Sequence, residues 1–152
     1  MISRRRALGL LIAVPAVTLV AKPALAMIPE IFARRGVAVR GTDVVAYFTQ
    51  GKPVRGSSEF ATQWKGAEWR FSSAEHLAAF EANPEAYAPQ YGGWCAWAVS
   101  QNYTAATIPE AWTIYEGKLY LNANRSVRRT WEQDIPGNIA LGDANWPNVL
   151  IS

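Results

Sequence analysis

One cysteine and one histidine stand in 152 residues, and their scarcity excludes a good deal. Cys95 has no partner for an intramolecular disulfide, so burial alone must hold the fold. With His76 the only imidazole, any Ser-His-Asp or Cys-His relay must run through it, and no Gly-x-Ser-x-Gly nucleophile elbow occurs. No phosphate-cradling glycine loop is present, because Gly92-Gly93 lacks both a downstream glycine at the required spacing and the P-loop lysine. Repeats and low-complexity segments are also missing. A surplus of one charge is missing too, once the N-terminus is set apart. The chain has 15 basic and 12 acidic residues, but Arg4, Arg5, Arg6 and Lys22 lie in the first 26 residues, which contain no acid. Without those four, 11 basic residues face 12 acidic ones, a net charge of −1. Such a balance offers no electrostatic footprint for nucleic acid, and no basic stripe interleaved with aromatics appears. Paired carboxylates of the glycosidase kind stay open at this level, since twelve acids always leave some pair close in space.

What is present begins with an address. Ser3-Arg4-Arg5-Arg6-Ala7-Leu8 is a basic leader, Ala7 to Ala21 is an uncharged apolar run broken by Pro15, and Ala24-Leu25-Ala26 is a small-x-small cleavage signal. The run is shorter than the roughly 20 residues of a spanning helix, so export outweighs a membrane anchor and no stable span is expected after cleavage. Ser-Arg-Arg-x-x-Leu is similar to a twin-arginine signal, with Ala7 and Gly9 as departures and Lys22 before the cleavage site in its favour. The expectation is a signal peptide at residues 1–26 and a periplasmic mature protein from Met27, with the general secretory route as the alternative.

Seven tryptophans, six tyrosines and five phenylalanines all fall after residue 26, enough to build one densely packed core. Residues 27–38 read as a short lead-in with one helical turn. Asp43 is placed to cap a short helix through Val44, Val45, Tyr47 and Phe48. Phe60 to Phe71 alternates around Lys65-Gly66 as a hairpin, and Trp112 to Leu121 alternates around Glu116-Gly117 as a second. Ser72-x-x-Glu75 predicts a capping box opening a helix that stops at Asn83-Pro84, where Asn83 caps a further short helix. Ala105 to Pro109 reads as a loop. Asn124 predicts a helix carrying Val127, Trp131 and Ile135 and ended by Pro136-Gly137, and 138–148 a last short helix docking Trp146. Two hairpins interleaved with short helices give an α+β class: a small antiparallel sheet packed with several short helices in a single domain.

Tyr87 to Tyr103, YAPQYGGWCAWAVSQNY, is the densest stretch, joining five aromatics, Cys95 and Gly92-Gly93. Two glycines let the backbone take positive φ or approach a neighbour closely, so flanking rings converge there. With Gly41-Thr-Asp-Val-Val-Ala-Tyr-Phe48 upstream and Trp112-Thr-Ile-Tyr115 downstream, this stretch resembles the YHS-domain family, in particular its exported bacterial branch, over residues 39–150. The resemblance implies the same α+β fold and no well-established activity. Selenocysteine-containing relatives in that branch add weight to a redox use of Cys95.

The resemblance also bears on metal. Metal-associated YHS domains carry Asp-Pro-Val-Cys-Gly-Met and Phe-Cys-Ser-x-x-Cys-x-x-x-Phe. Carried across, their cysteines fall on Ala46, Ser72 and His76, while Phe71, Ser73 and Phe80 are retained. A cysteine-rich soft-metal site is therefore not inherited, since only His76 still donates strongly. No cofactor is predicted and no metal site, unless His76 and Cys95 meet. His76 alone is more often a surface or hydrogen-bonded residue, and Cys95 more often an inert buried filler than a redox thiol. The leading expectation is a non-enzymatic binding module for a small ligand or metal-related partner, with Asp43, Tyr47, Tyr91, Gly92, Gly93, Trp94, Cys95 and Trp97 as candidate ligand-binding residues. The alternatives are a thiol-dependent redox protein using Cys95, or a structural partner of another exported protein.

Overall fold

The computed structural model describes residues 12–19 and 27–151. Most of the expected signal peptide lies outside the described residues, and 12–19 carry neither helix nor strand. Among the described residues no helix is long and apolar enough to cross a membrane.

The lead-in is the first departure from expectation. Instead of a helical turn, Ala33–Arg34 (β1) and Val37–Ala38 (β2) form a tight hairpin, with Arg35 and Gly36 both at positive φ. Residues this few have no period to read, and what makes them strands is a partner elsewhere. Ser57–Trp64 (β3) and Ala67–Phe71 (β4) pair antiparallel, and β2 then lies parallel to β4, giving the order β1-β2-β4-β3. The Lys65-Gly66 turn takes φ 48 and 77, the doubly left-handed geometry that matches strand twist. Trp112–Tyr115 (β5) and Lys118–Leu121 (β6) make the second hairpin about Glu116 (φ 49) and Gly117 (φ 75). The two expected hairpins thus fold as predicted but lie in separate sheets, one of them mixed. The class is α+β.

Among the described residues six α-helices surround them: Val44–Thr49 (α1), Ala74–Ala82 (α2), Pro84–Tyr87 (α3), Ala96–Ser100 (α4), Arg125–Glu132 (α5) and Ile135–Asn145 (α6). Three boundary expectations need correction. The cap of α2 is Ser73, whose Oγ accepts from His76 N, while Ser72 is recruited elsewhere. Asn83 precedes α3 without a side-chain cap. Pro136-Gly137 opens α6 rather than ending α5, because proline suits a first helical turn and Asp134 caps it through Gly137 N.

Hairpin β5–β6 is a partition. Its alternation sends Trp112, Ile114, Leu119 and Leu121 to one apolar cluster with Tyr47, Trp69, Phe71 and Phe80, where Trp69 and Phe80 stack 5.1 Å apart. Tyr115 and Tyr120 face the other way, into a cluster with Tyr91, Val99, Trp131 and Trp146. Fully burying such side chains stabilises by about 1.5–3 kcal/mol each, which supplies the cohesion a disulfide would otherwise give.

Candidate functional site

The candidate residues divide between two places. Asp43 sits at zero exposure before α1. Its Oδ1 accepts from Val45 N (3.0 Å) and Ala46 N (3.2 Å), as the helix-cap reading requires. Its Oδ2 accepts from Ser72 N (2.9 Å), Ser72 Oγ (2.6 Å) and His76 Nδ1 (2.6 Å). The three positions onto which the resemblance carries metal-ligating cysteines therefore surround one carboxylate. Where the resemblance implies thiolates around a cation, this chain puts hydrogen-bond donors around a carboxylate. His76 Nε2 is engaged as well, 3.2 Å from Thr49 Oγ1. Ala46 brings no donor side chain and the Ser72 hydroxyl is committed, so this set does not fit a soft metal. Among the described residues, no three His, Cys, Asp or Glu side chains group as a metal shell needs. Tyr47 leaves this hub and donates to Pro109 O at 2.8 Å. Burial, reinforced by the charge of Glu110, pushes its phenol above the ordinary range.

The remaining candidates form the Gly-Gly knot. Tyr91, Gly92 and Gly93 take φ 59, 64 and 85, so the chain turns left-handed for three residues. At Gly92 the close approach is decisive: a Cβ there would overlap the Glu30 carbonyl oxygen and fall 2.8 Å from its carbon. That contact brings the lead-in alongside, and Phe32 N donates to Gly92 O at 2.8 Å. Tyr91 turns inward, its hydroxyl donating to Asp143 Oδ1 on α6 at 2.9 Å; burial and this hydrogen bond both raise its pKa. Trp94 turns outward, its Nε1 donating to Pro29 O at 3.0 Å and its ring tilted against Phe32 at 5.1 Å. Gly93 O accepts from Thr107 Oγ1 at 2.7 Å.

Cys95 is 1% exposed. Its Sγ lies 3.5 Å from Asn122 Oδ1, which also accepts from Trp97 N at 3.0 Å. Burial raises the thiol pKa against the lowering pull of the surrounding amides, so the nucleophilic thiolate is disfavoured. Cys95 and His76 share no hydrogen-bond partner among the described residues.

Two clefts flank the lead-in where it crosses the knot. One, about 120 Å³, lies between Tyr91, Gly92, Trp146 and the ion pair of Lys65 with Glu30 (2.7 Å). The other, about 410 Å³, is lined by Pro29, Ile31, Ala33, Ala67, Trp94 and Lys65. Ligand sites usually need ~300–1,000 Å³, so the second has the room and the apolar walls that the first lacks. Sequence reasoning found Trp94 but missed the rest of this wall, because Pro29, Ile31 and Ala33 become a surface only through the unforeseen β1–β2 hairpin.

No curated protein and no solved structure matches the chain significantly. Residues 45–91, under a third of the 152, do match a family model, and the span runs from α1 through the Asp43-ringed Ser72 and His76 to the Tyr91 kink: it is the model of the YHS domain.

Proposed function

We propose that this chain is an exported, periplasmic, non-enzymatic binding module built on a YHS domain, taking a small, largely apolar ligand in the groove beside Trp94. The observation that carries this reading is the way the Gly-Gly knot pins that groove. Gly92 seats the lead-in, Phe32 backs the Trp94 ring, and Pro29 O holds its indole N–H, so the wall is set before a ligand arrives. A wall already fixed avoids the ordering cost of binding. The twin-arginine-like leader supplies the export part of the proposal. The thiol-redox alternative loses ground to the burial of Cys95.

The test is native mass spectrometry of the protein isolated from the periplasm, beside a Trp94→Ala variant. An organic adduct on the wild type that is lost in the variant supports the module. A wild type carrying no adduct, with a fold unchanged by Trp94→Ala, would favour the structural-partner alternative.

A further inference from the structure

Beyond the turn that follows β2, Arg40 and Arg55 line a cleft of about 400 Å³ that the apolar-ligand reading does not use. Backbone pairing brings them together. Gly56 N donates to Gly41 O and Asp43 N to Val54 O, both at 2.8 Å, and Thr42 lies opposite Arg55 in an antiparallel bridge. Cross-strand partners share a face, so Thr42 and Arg55 line the cleft side by side. Gly56 permits this, because a Cβ there would overlap the Arg70 carbonyl and come 2.8 Å from Arg70 Cβ.

Arg40 arrives by a costlier path. Val39, Arg40 and Gly41 take φ 50, 54 and 77, a left-handed turn in which the first residue is β-branched. A non-glycine residue so held is strained, and such strain persists only where the surroundings impose it. Here they do. Thr42 N donates to Val39 O at 3.0 Å, Arg40 Nε donates to Thr107 O at 2.8 Å, and the guanidinium lies 5.9 Å over the Phe32 ring. Thr107 is the residue that also bonds Gly93 O. With Nε committed, the four Nη hydrogens of Arg40 remain as donors.

Neither arginine has an acid within ion-pair distance among the described residues, which hold all twelve Asp and Glu side chains. Glu110 also lines the cleft and sets one negative charge against two positive ones. Thr42 is 6% exposed and lines the cleft between the two arginines. Both arginines are exposed, yet Arg40 is held by a strained turn and a fixed Nε that solubility alone would not require. We infer that this cleft binds a small oxyanion, a carboxylate or phosphate group, gripped by the guanidinium groups of Arg40 and Arg55 with the Thr42 hydroxyl as a third donor.

The experiment is isothermal titration of the exported, full mature chain with inorganic phosphate and, separately, succinate, against sodium chloride at matched ionic strength. Variants are Arg40→Gln, Arg55→Gln and, as a control elsewhere on the surface, Arg129→Gln. The expected result is saturable one-to-one binding of at least one anion, weakened tenfold or more in Arg40→Gln and Arg55→Gln and unchanged in Arg129→Gln. Which anion binds identifies the group. Heat no greater than that of chloride, or binding that Arg55→Gln leaves intact, overturns the inference. Should Arg40→Gln melt early, Arg55→Gln decides alone, since Arg55 has no positive φ to disturb.

Discussion

His76 Nδ1 lies 2.6 Å from Asp43 Oδ2, joining residues 33 apart across the start of α1 and the first turn of α2. Asp43→Ala would remove a helix cap and strand Ser72 N, Ser72 Oγ and His76 Nδ1 together. The expected loss is about 3 kcal/mol or more, combining a cap worth ~1 with buried donors left unpaired. His76→Ala removes only one of five donors and should cost clearly less. Urea unfolding of both variants checks this, and equal midpoints would show that the carboxylate does not hold the hub.

Gly92 and Gly117 separate two effects of a Cβ. Both have positive φ, but a Cβ on Gly117 meets nothing within 4 Å, whereas one on Gly92 overlaps Glu30. Gly117→Ala should therefore cost about 1 kcal/mol, the backbone effect alone, and Gly92→Ala substantially more. Similar melting temperatures for the two would show that the lead-in yields without penalty.

Cys95 should react with a thiol reagent only as fast as the native protein opens. The expected rate constant rises steeply as urea approaches the unfolding midpoint, following the open population. Rapid stoichiometric labelling in buffer would contradict the burial and restore the redox alternative.

Raised phenol pKa values give the pH dependence its sign. Burial is the main cause at Tyr47, Tyr91 and Tyr120, the last pushed up to about 12 from 10.0. The folded state therefore keeps protons that the unfolded state releases. This contribution to stability is complete below pH 10 and is lost as pH rises from there toward and beyond 12. Alkaline unfolding followed by tyrosine absorbance should show these phenols ionising together with loss of tertiary signal. Ionisation of all six tyrosines near pH 10 with the fold intact would refute it.

Local chemistry made much of this fold readable. Lys65-Gly66 and Glu116-Gly117 each sit between alternating apolar residues, and a two-residue turn with glycine second leaves few other solutions. Asp43 and Asn124 announced their helices because an Asx side chain before an apolar run has one obvious use, and both do accept the expected amides. What stayed hidden depends on distant partners. Ser72 and Ser73 are equal cap candidates until Asp43 takes the first. Pro136-Gly137 marks a helix start as well as a stop, and only the Asp134 cap decides. The two-residue strands of the lead-in exist because β4 has a free edge. Arg40 and Arg55, fifteen positions apart, read as solvated charges until the Thr42–Arg55 bridge sets them in one cleft.

The placement of hairpin β5–β6 limits what the YHS-matched segment can do by itself. Leu119 and Leu121, both at zero exposure, fill the cluster of Tyr47, Phe71 and Phe80, yet they come from 28 and 30 residues beyond the end of the match at residue 91. The matched span and the foldable unit therefore have different borders here. Excised, residues 45–91 would present an uncapped apolar face to water, so the matched span depends on a hairpin outside it to close its own core.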